Sequence, residues 1–251
     1  NNSGKLITWA KLASGISANS STIIYLGFAS KTTNLLSSSG TTGIGEAPEL
    51  SSTYAQYDDG ASVFNNYWNF AGTTCPSGWT CSGVIVNNGV TVSSSSPSYA
   101  NTNSLFGLNS EQILDTFGNI QSPVDNGGAG VGFGSGTNLF RSLYNFVVFY
   151  DSVAQPDEAM TDISTGFTGV ENNVANYPTG LLVRSIYWTS SLVNFYSSYN
   201  LIGSTTSDIP NVALPIDYAD YLISGANLGT FYWFRIRAYP PNGVMPSVSI
   251  S

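Results

Sequence analysis

The chain has 251 residues, of which 42% are hydrophobic, 13% aromatic and only 9% charged, with seven Lys and Arg against fifteen Asp and Glu and a formal net charge of −8. An ordinary soluble domain is about 25% charged, so this polar surface has to be built from Ser, Thr, Asn, Gln and Tyr. So few, scattered cations exclude an electrostatic grip on nucleic acid or an anionic membrane, and the absence of histidine excludes histidine triads and histidine-based zinc sites.

At this length the chain can bury a substantial core. The reading is one main domain over residues 51–251, preceded by a small β appendage and linker over residues 1–50. A surface with few ionisable groups gains little charge when carboxylates protonate, which suits an acidic setting; Lys-poor surfaces of this kind are also common among secreted β proteins. Asn1-Asn2-Ser3 and Asn19-Ser20-Ser21 fit the N-glycosylation acceptor pattern, making Asn1 and Asn19 candidate modification sites. There is no apolar run of about 18 residues, so no membrane insertion is expected of this chain.

In chain order, Lys5 to Leu12 and Ser21 to Ser30 are β-rich runs expected to form two paired strands. The Ser/Thr/Gly-rich residues 31–53 are long for a loop in a compact domain and read as a linker. Val84 to Val86 and Val90 to Val92 flank Asn87-Asn88-Gly89. Asn-Gly between β-branched runs predicts a hairpin with a type I′ turn, whose two central residues need positive φ. The only cysteines, Cys75 and Cys81, bracket Pro76-Ser77-Gly78-Trp79-Thr80. With no further thiol and no histidine, metal coordination is poorly supported, and the short Pro/Gly turn predicts a disulfide. That places the chain outside the cytosol, or in a cytosol that tolerates disulfides.

Residues 127–136 alternate Gly with small or apolar residues. A phosphate loop would need Gly-Lys-Ser/Thr and a following helix; neither is present, so the run reads as a central strand approached closely by other chain. Asn145 to Tyr150, Leu181 to Trp188 and Leu192 to Tyr196 read as strands, and Tyr218 to Ile223 as a strand or helical turn. In Phe231 to Tyr239, alternation puts Tyr232, Phe234, Ile236 and Ala238 on one face and Trp233, Arg235 and Arg237 on the other. Val244 to Ser251 offers a last short strand. Many short strands separated by Gly/Pro/Asn-rich turns predict an all-β, antiparallel sandwich.

Trp9-Ala10-Lys11-Leu12 with Ser20 to Phe28 resembles the latter half of a domain of unknown function found in secreted archaeal proteins. Phe64 to Phe70, Pro76 to Trp79 and the Asn88-Gly89 hairpin resemble the opening of a concanavalin A-like jelly roll. Tyr232 to Gly243 resembles the closing segment of surface proteins from acidophilic archaea. The resemblance implies a lectin-like jelly-roll fold and an extracellular, cell-surface setting. By that resemblance the strands that normally open the first domain are not among these residues, and residues 1–30 are expected to lack partners of their own within this chain.

Some jelly rolls of this kind are glycosidases, and in one such family the acids come from Glu-x-Asp-x-x-Glu on a single strand. That pattern is absent, and Asp58-Asp59 and Asp157-Glu158 with Asp162 lie in loop-like sequence, so hydrolysis is not expected. Asp151, Asp157, Glu158 and Asp162 are close enough in sequence to consider calcium, but without an EF-hand pattern they read as a solvated acidic loop; no metal or cofactor is called for. Glycan binding would use an exposed aromatic beside hydrogen-bonding groups, for which Trp233 with Arg235, or Tyr57 with Asp58 and Asp59, are the candidates; such aromatics are more often packing. Two functions remain. One is an extracellular structural or adhesive protein that self-associates, by terminal-strand exchange, into a filament; the alternative is a carbohydrate-binding module without catalytic activity.

Overall fold

A computed structural model describes residues 9–17, 19–25, 58–92, 98–107, 111–121, 128–134, 145–152, 156–164, 169–221, 229–240 and 243. The chain divides into two compact units, Asn1–Asn65 and Asn66–Ser251.

The described residues of the first unit hold one short helix, α1 (Gly60–Val63), and an edge-on contact between Trp9 and Phe64. No strand forms over residues 9–12 or 21–25, which corrects the expected hairpin as far as it can be seen; residues 5–8 and 26–30 lie outside the described residues. A β-prone run becomes strand only through ladder hydrogen bonds to a neighbour. Ile23, Ile24 and Tyr25 are instead 77%, 63% and 90% exposed.

The second unit is an antiparallel sandwich of fifteen described strands, numbered in chain order. The first sheet runs β13 (Asn200–Thr205), β12 (Val193–Ser197), β11 (Leu182–Trp188), β6 (Gln112–Gly118), β15 (Thr230–Ala238), β4 (Val90–Val92), β3 (Val84–Val86), with β1 (Asn66–Asn69) also on β15. The second runs β10 (Gly169–Asn176), β9 (Glu158–Ser164), β8 (Phe146–Ser152), β7 (Gly128–Phe133), β14 (Leu214–Tyr221), β5 (Tyr99–Phe106), β2 (Trp79–Ser82). Between them Phe70, Trp79, Phe231 and Phe234 pack against one another, and Phe149 meets Phe195 and Tyr177 edge-on. Each such ring contributes about 1.5–3 kcal/mol when fully buried.

The Asn-Gly hairpin forms, joining β3 to β4. Its connection is the three residues 87–89, with Val86 opposite Val90, and not the two-residue turn expected. Asn88 (φ 48°) and Gly89 (φ 141°) do take the positive φ the motif supplies. Cys75 and Cys81 are bonded, with Cα atoms 6.1 Å apart, and the closed ring carries Trp79 into the core. Residues 128–133 are an interior strand, as the glycine run predicts; a Cβ on Gly128 would run into the Tyr150 ring. In β15 the predicted alternation breaks once. A register shift between Phe231 and Trp233 makes Tyr232 the extra residue of a bulge. Phe231, Phe234 and Ile236 therefore enter the core, and half-buried Tyr232 packs on Phe117. The predicted strand at 244–251 lies outside the described residues.

Candidate functional site

Alternation along β9 sends Ala159 into the core between the sheets and turns Glu158, Met160 and Asp162 to the outer face of the second sheet. Met160 joins Phe146, Val148, Tyr150 and Ala219 in a separate buried cluster on that face. This corrects the loop-like reading of Glu158 and Asp162, whereas Asp157 does lie in the turn that precedes β9. Glu158 and Asp162 break the apolar period of a strand whose partners, β8 and β10, supply the pairing.

The neighbouring strand β10 completes the group. Its register places Glu171 opposite Asp162 and Asn173 opposite Met160, and a bulge between Asn173 and Ala175 returns Asn176 to the same face, opposite Glu158. Three carboxylates and two amides thus form two adjoining rows. Glu158 and Asp162 are four residues apart, about 13 Å along the strand. Glu171, Asn173 and Asn176 are exposed, Glu158 is half-buried, and Asn176 Nδ2 donates to the Pro156 carbonyl at 3.2 Å.

Asp162 differs from the others. It is 0% exposed, and neither carboxylate oxygen has a hydrogen-bond partner among the described residues. Burial, and then the negative charges of Glu171 and Asp208, push its pKa from 3.8 up to about 7. Glu158 is also raised, by burial and then Glu171, against a hydrogen bond from Asn173. No Lys or Arg among the described residues of the second unit stands on this face: Arg184 lies in the core, donating to the Gly118, Pro178 and Gly180 carbonyls, and Arg235 and Arg237 belong to the first sheet.

The outer face of the first sheet carries opposite electrostatics. Asp115, 0% exposed, accepts from Arg235 Nε and Arg237 Nε, each at 2.8 Å, and Arg237 Nη2 also reaches the Tyr187 hydroxyl at 3.0 Å. Burial alone would raise the Asp115 pKa, but the two guanidinium groups outweigh it and hold the carboxyl below its ordinary value.

The sequence candidates fall as follows. Trp233 is 7% exposed, stacked on Phe117 and beneath the Arg235 guanidinium, and Arg235 is committed to Asp115, so the pair is internal packing in geometry and not an exposed platform. Asp58 Oδ1 accepts from the Gly60 amide at 2.8 Å, and Asp59 caps α1 without a side-chain bond. Asn19 is exposed in a turn with φ 58°. Tyr57 and Asn1 lie outside the described residues. The four carboxylates weighed for calcium are split by strand alternation: Asp151 receives the Asp157 amide and faces Arg184 with it, whereas Glu158 and Asp162 point the other way. No three Asp, Glu, His or Cys side chains among the described residues are grouped to hold a metal ion.

Known proteins resemble the chain mainly in fold. No family model matches it. It is 24% identical over 98% of its length to uncharacterized protein 562 of Sulfolobus islandicus rod-shaped virus 1, and spans 47% of that protein. Among solved structures, a β-1,3-glucanase from Mycobacterium marinum superposes with TM-score 0.53 at 8% identity, over 69% of this chain and 98% of that one. Bacillus licheniformis β-glucanase gives 0.52 at 13% identity, over 68% and 96%. The carbohydrate recognition domain of Emp47p gives 0.49 at 12%, over 69% and 97%. The fold is a concanavalin-like jelly roll.

Proposed function

We propose that the second unit is a carbohydrate-binding module of an extracellular adhesive protein, and that it holds neutral glycans along the outer face of β9 and β10. The observation that carries this reading is the solvent-facing group Glu171, Asn173 and Asn176 with half-buried Glu158 beside it. Carboxylates accept from sugar hydroxyls, and amides both accept and donate. With no cation among the described residues of that face, anionic glycans are repelled. The glucan-acting names of two fold neighbours support a sugar ligand, and the disulfide supports an extracellular setting. A glycan array tests it: neutral oligosaccharides should bind, and Glu171→Ala with Asn173→Ala should weaken binding at least tenfold. Silence across the array, or retention of affinity in the double variant, contradicts it.

Assembly into a filament by strand exchange is the fuller form of the adhesive proposal. Its support is the exposed, uncharged Ile23-Ile24-Tyr25 run, which offers main-chain groups to a sheet edge of another copy. Electron microscopy of the native protein, with deletions of residues 1–12 and 244–251, checks it; single particles in all three samples contradict it.

One observation favours a second reading, glycoside hydrolysis. Glu158 and the raised Asp162 share a strand face, and a carboxyl titrating near neutrality is a fit general acid. The spacing of about 13 Å exceeds the roughly 5–9.5 Å of paired glycosidase carboxylates, and although Glu171 stands directly opposite Asp162, Asp162 is 0% exposed and out of reach of a substrate, so binding without turnover is favoured. A hydrolysis screen decides: turnover abolished by Glu158→Gln would replace the binding reading.

A further inference from the structure

Asp162 sits where a sheet normally avoids a carboxylate. It is buried, its oxygens have no hydrogen-bond partner among the described residues, and Glu171 lies directly across the ladder from it. Directly opposed like charges destabilise a strand pair, and a buried charge without a partner costs far more than a buried neutral acid. Among the described residues the charged groups around it are all negative: Glu158 on its own strand, Glu171 on β10 and Asp208 in the bend after β13. From β8 the residue opposite is Phe146, which supplies neither donor nor charge.

We infer that Asp162 is a proton-loading site, and that the β9–β10 hairpin is a pH-operated element: it is closed while Asp162 holds its proton and loosens when the proton leaves. The hairpin is built for such a role. Among the described strands β10 is the terminal one of its sheet, held on its far side by Asn172 Nδ2 donating to Thr205 Oγ1 at 2.9 Å and not by a ladder, and its pairing with β9 is already interrupted by the bulge at Asn173 to Ala175. Opening separates Glu171 from Asp162 and lets water reach the carboxylate, which relieves both penalties at once. The side chains displaced are those assigned above to glycan contact, Glu171, Asn173 and Asn176. The regulatory consequence therefore rests on the proposed binding function: acid favours the assembled rim and neutral pH disperses it.

The direction follows from linkage. A carboxyl that holds its proton up to about pH 7 when folded, and only to about pH 3.8 otherwise, favours the closed hairpin at low pH and loses that contribution as pH rises between the two values. Asp162→Asn keeps the shape and removes the titration. Glu171→Gln keeps the titration and removes the nearest like charge, so its midpoint should fall while that of the wild type stays high.

Two measurements on the whole chain test this. A carboxyl-carbon NMR titration should show Asp162 changing near pH 7 in the wild type and at lower pH in Glu171→Gln; a wild-type midpoint at or below pH 4 overturns the inference without reliance on any variant. Hydrogen exchange over residues 158–176, corrected for the intrinsic rate, should quicken at least tenfold relative to β6 and β11 between pH 5 and pH 8, and Asp162→Asn should abolish the difference. Equal pH dependence in wild type and Asp162→Asn also overturns it. Glycan binding is read separately: a pH-dependent hairpin that binds no glycan leaves the proton site standing and removes the binding function, whereas glycan binding with a static hairpin does the reverse.

Discussion

Asp115 and Asp162 are the same residue type, both 0% exposed, and each faces outward from one sheet of the sandwich, yet their acidities move in opposite directions. Burial acts on both alike. The difference is the neighbouring strand: β15 brings Arg235 and Arg237 to Asp115 at 2.8 Å, whereas β10 brings Glu171 to Asp162. One face is a closed cluster in which two guanidinium groups share one carboxylate, and the other holds an excess of negative charge with unused acceptors. A buried carboxylate therefore identifies a candidate site only once its cross-strand partners are known.

The largest effect that could break this contrast is on the first sheet. Asp115→Ala leaves two buried guanidinium groups facing each other, and removing one side of a buried pair costs about 3–5 kcal/mol. Denaturant unfolding measures it; a loss below about 1 kcal/mol would mean that the ion cluster is not what holds β6 to β15.

Next comes pH. Asp162, raised from 3.8 to about 7, and Asp220, raised to about 6 by burial against an amide bond from Ser98, stabilise the fold below about pH 4 and lose that contribution as pH rises through those windows. Asp115 has the opposite sign: its contribution is present above the ordinary carboxylate range and lost as pH falls below it. Stability should peak near pH 4 and decline toward pH 8 by several kcal/mol, the full Asp162 change being worth about 4 kcal/mol and Asp220 adding to it in the same direction. Calorimetric scans across pH check this, and a transition temperature that climbs from pH 4 to pH 8 refutes it.

The Cys75–Cys81 link belongs to neither outer face and serves as the control. Closing so short a loop contributes on the order of 2 kcal/mol by chain-entropy bookkeeping, so reduction should cost that much at pH 4 and pH 7 alike. Intact-mass analysis after alkylation verifies the bond; two alkylated thiols before reduction would remove it. The smallest expected effect is Glu171→Gln. Relief of one opposed like charge is worth about 0.2–1 kcal/mol, gained at pH 7 and absent at pH 4.

What the sequence made legible was local. The Asn88-Gly89 hairpin, the six-residue cysteine spacing, the glycine strand at 128–133 and the strands at Phe146–Ser152, Leu182–Trp188, Val193–Ser197 and Thr230–Ala238 follow from neighbours a few residues apart. The sandwich class follows from their number. What was not legible depends on pairing over distance. Gln112–Gly118, an interior strand of the first sheet, is interrupted by Asp115, and only Arg235 and Arg237, more than a hundred residues later, make that acid tolerable there. Glu158 and Asp162 disguise β9 in the same way, and the bulge at Tyr232 reverses an alternation that the sequence alone presents as regular.

The proposal that the outer face of β9 and β10 is the glycan-binding surface is tested most directly by amide NMR during titration with a neutral oligosaccharide selected from the array, at pH 5. Shift changes should concentrate in residues 158–176 and leave the Asp115, Trp233 and Arg235 face unmoved. Changes centred on that opposite face, or none at saturating oligosaccharide, would contradict it.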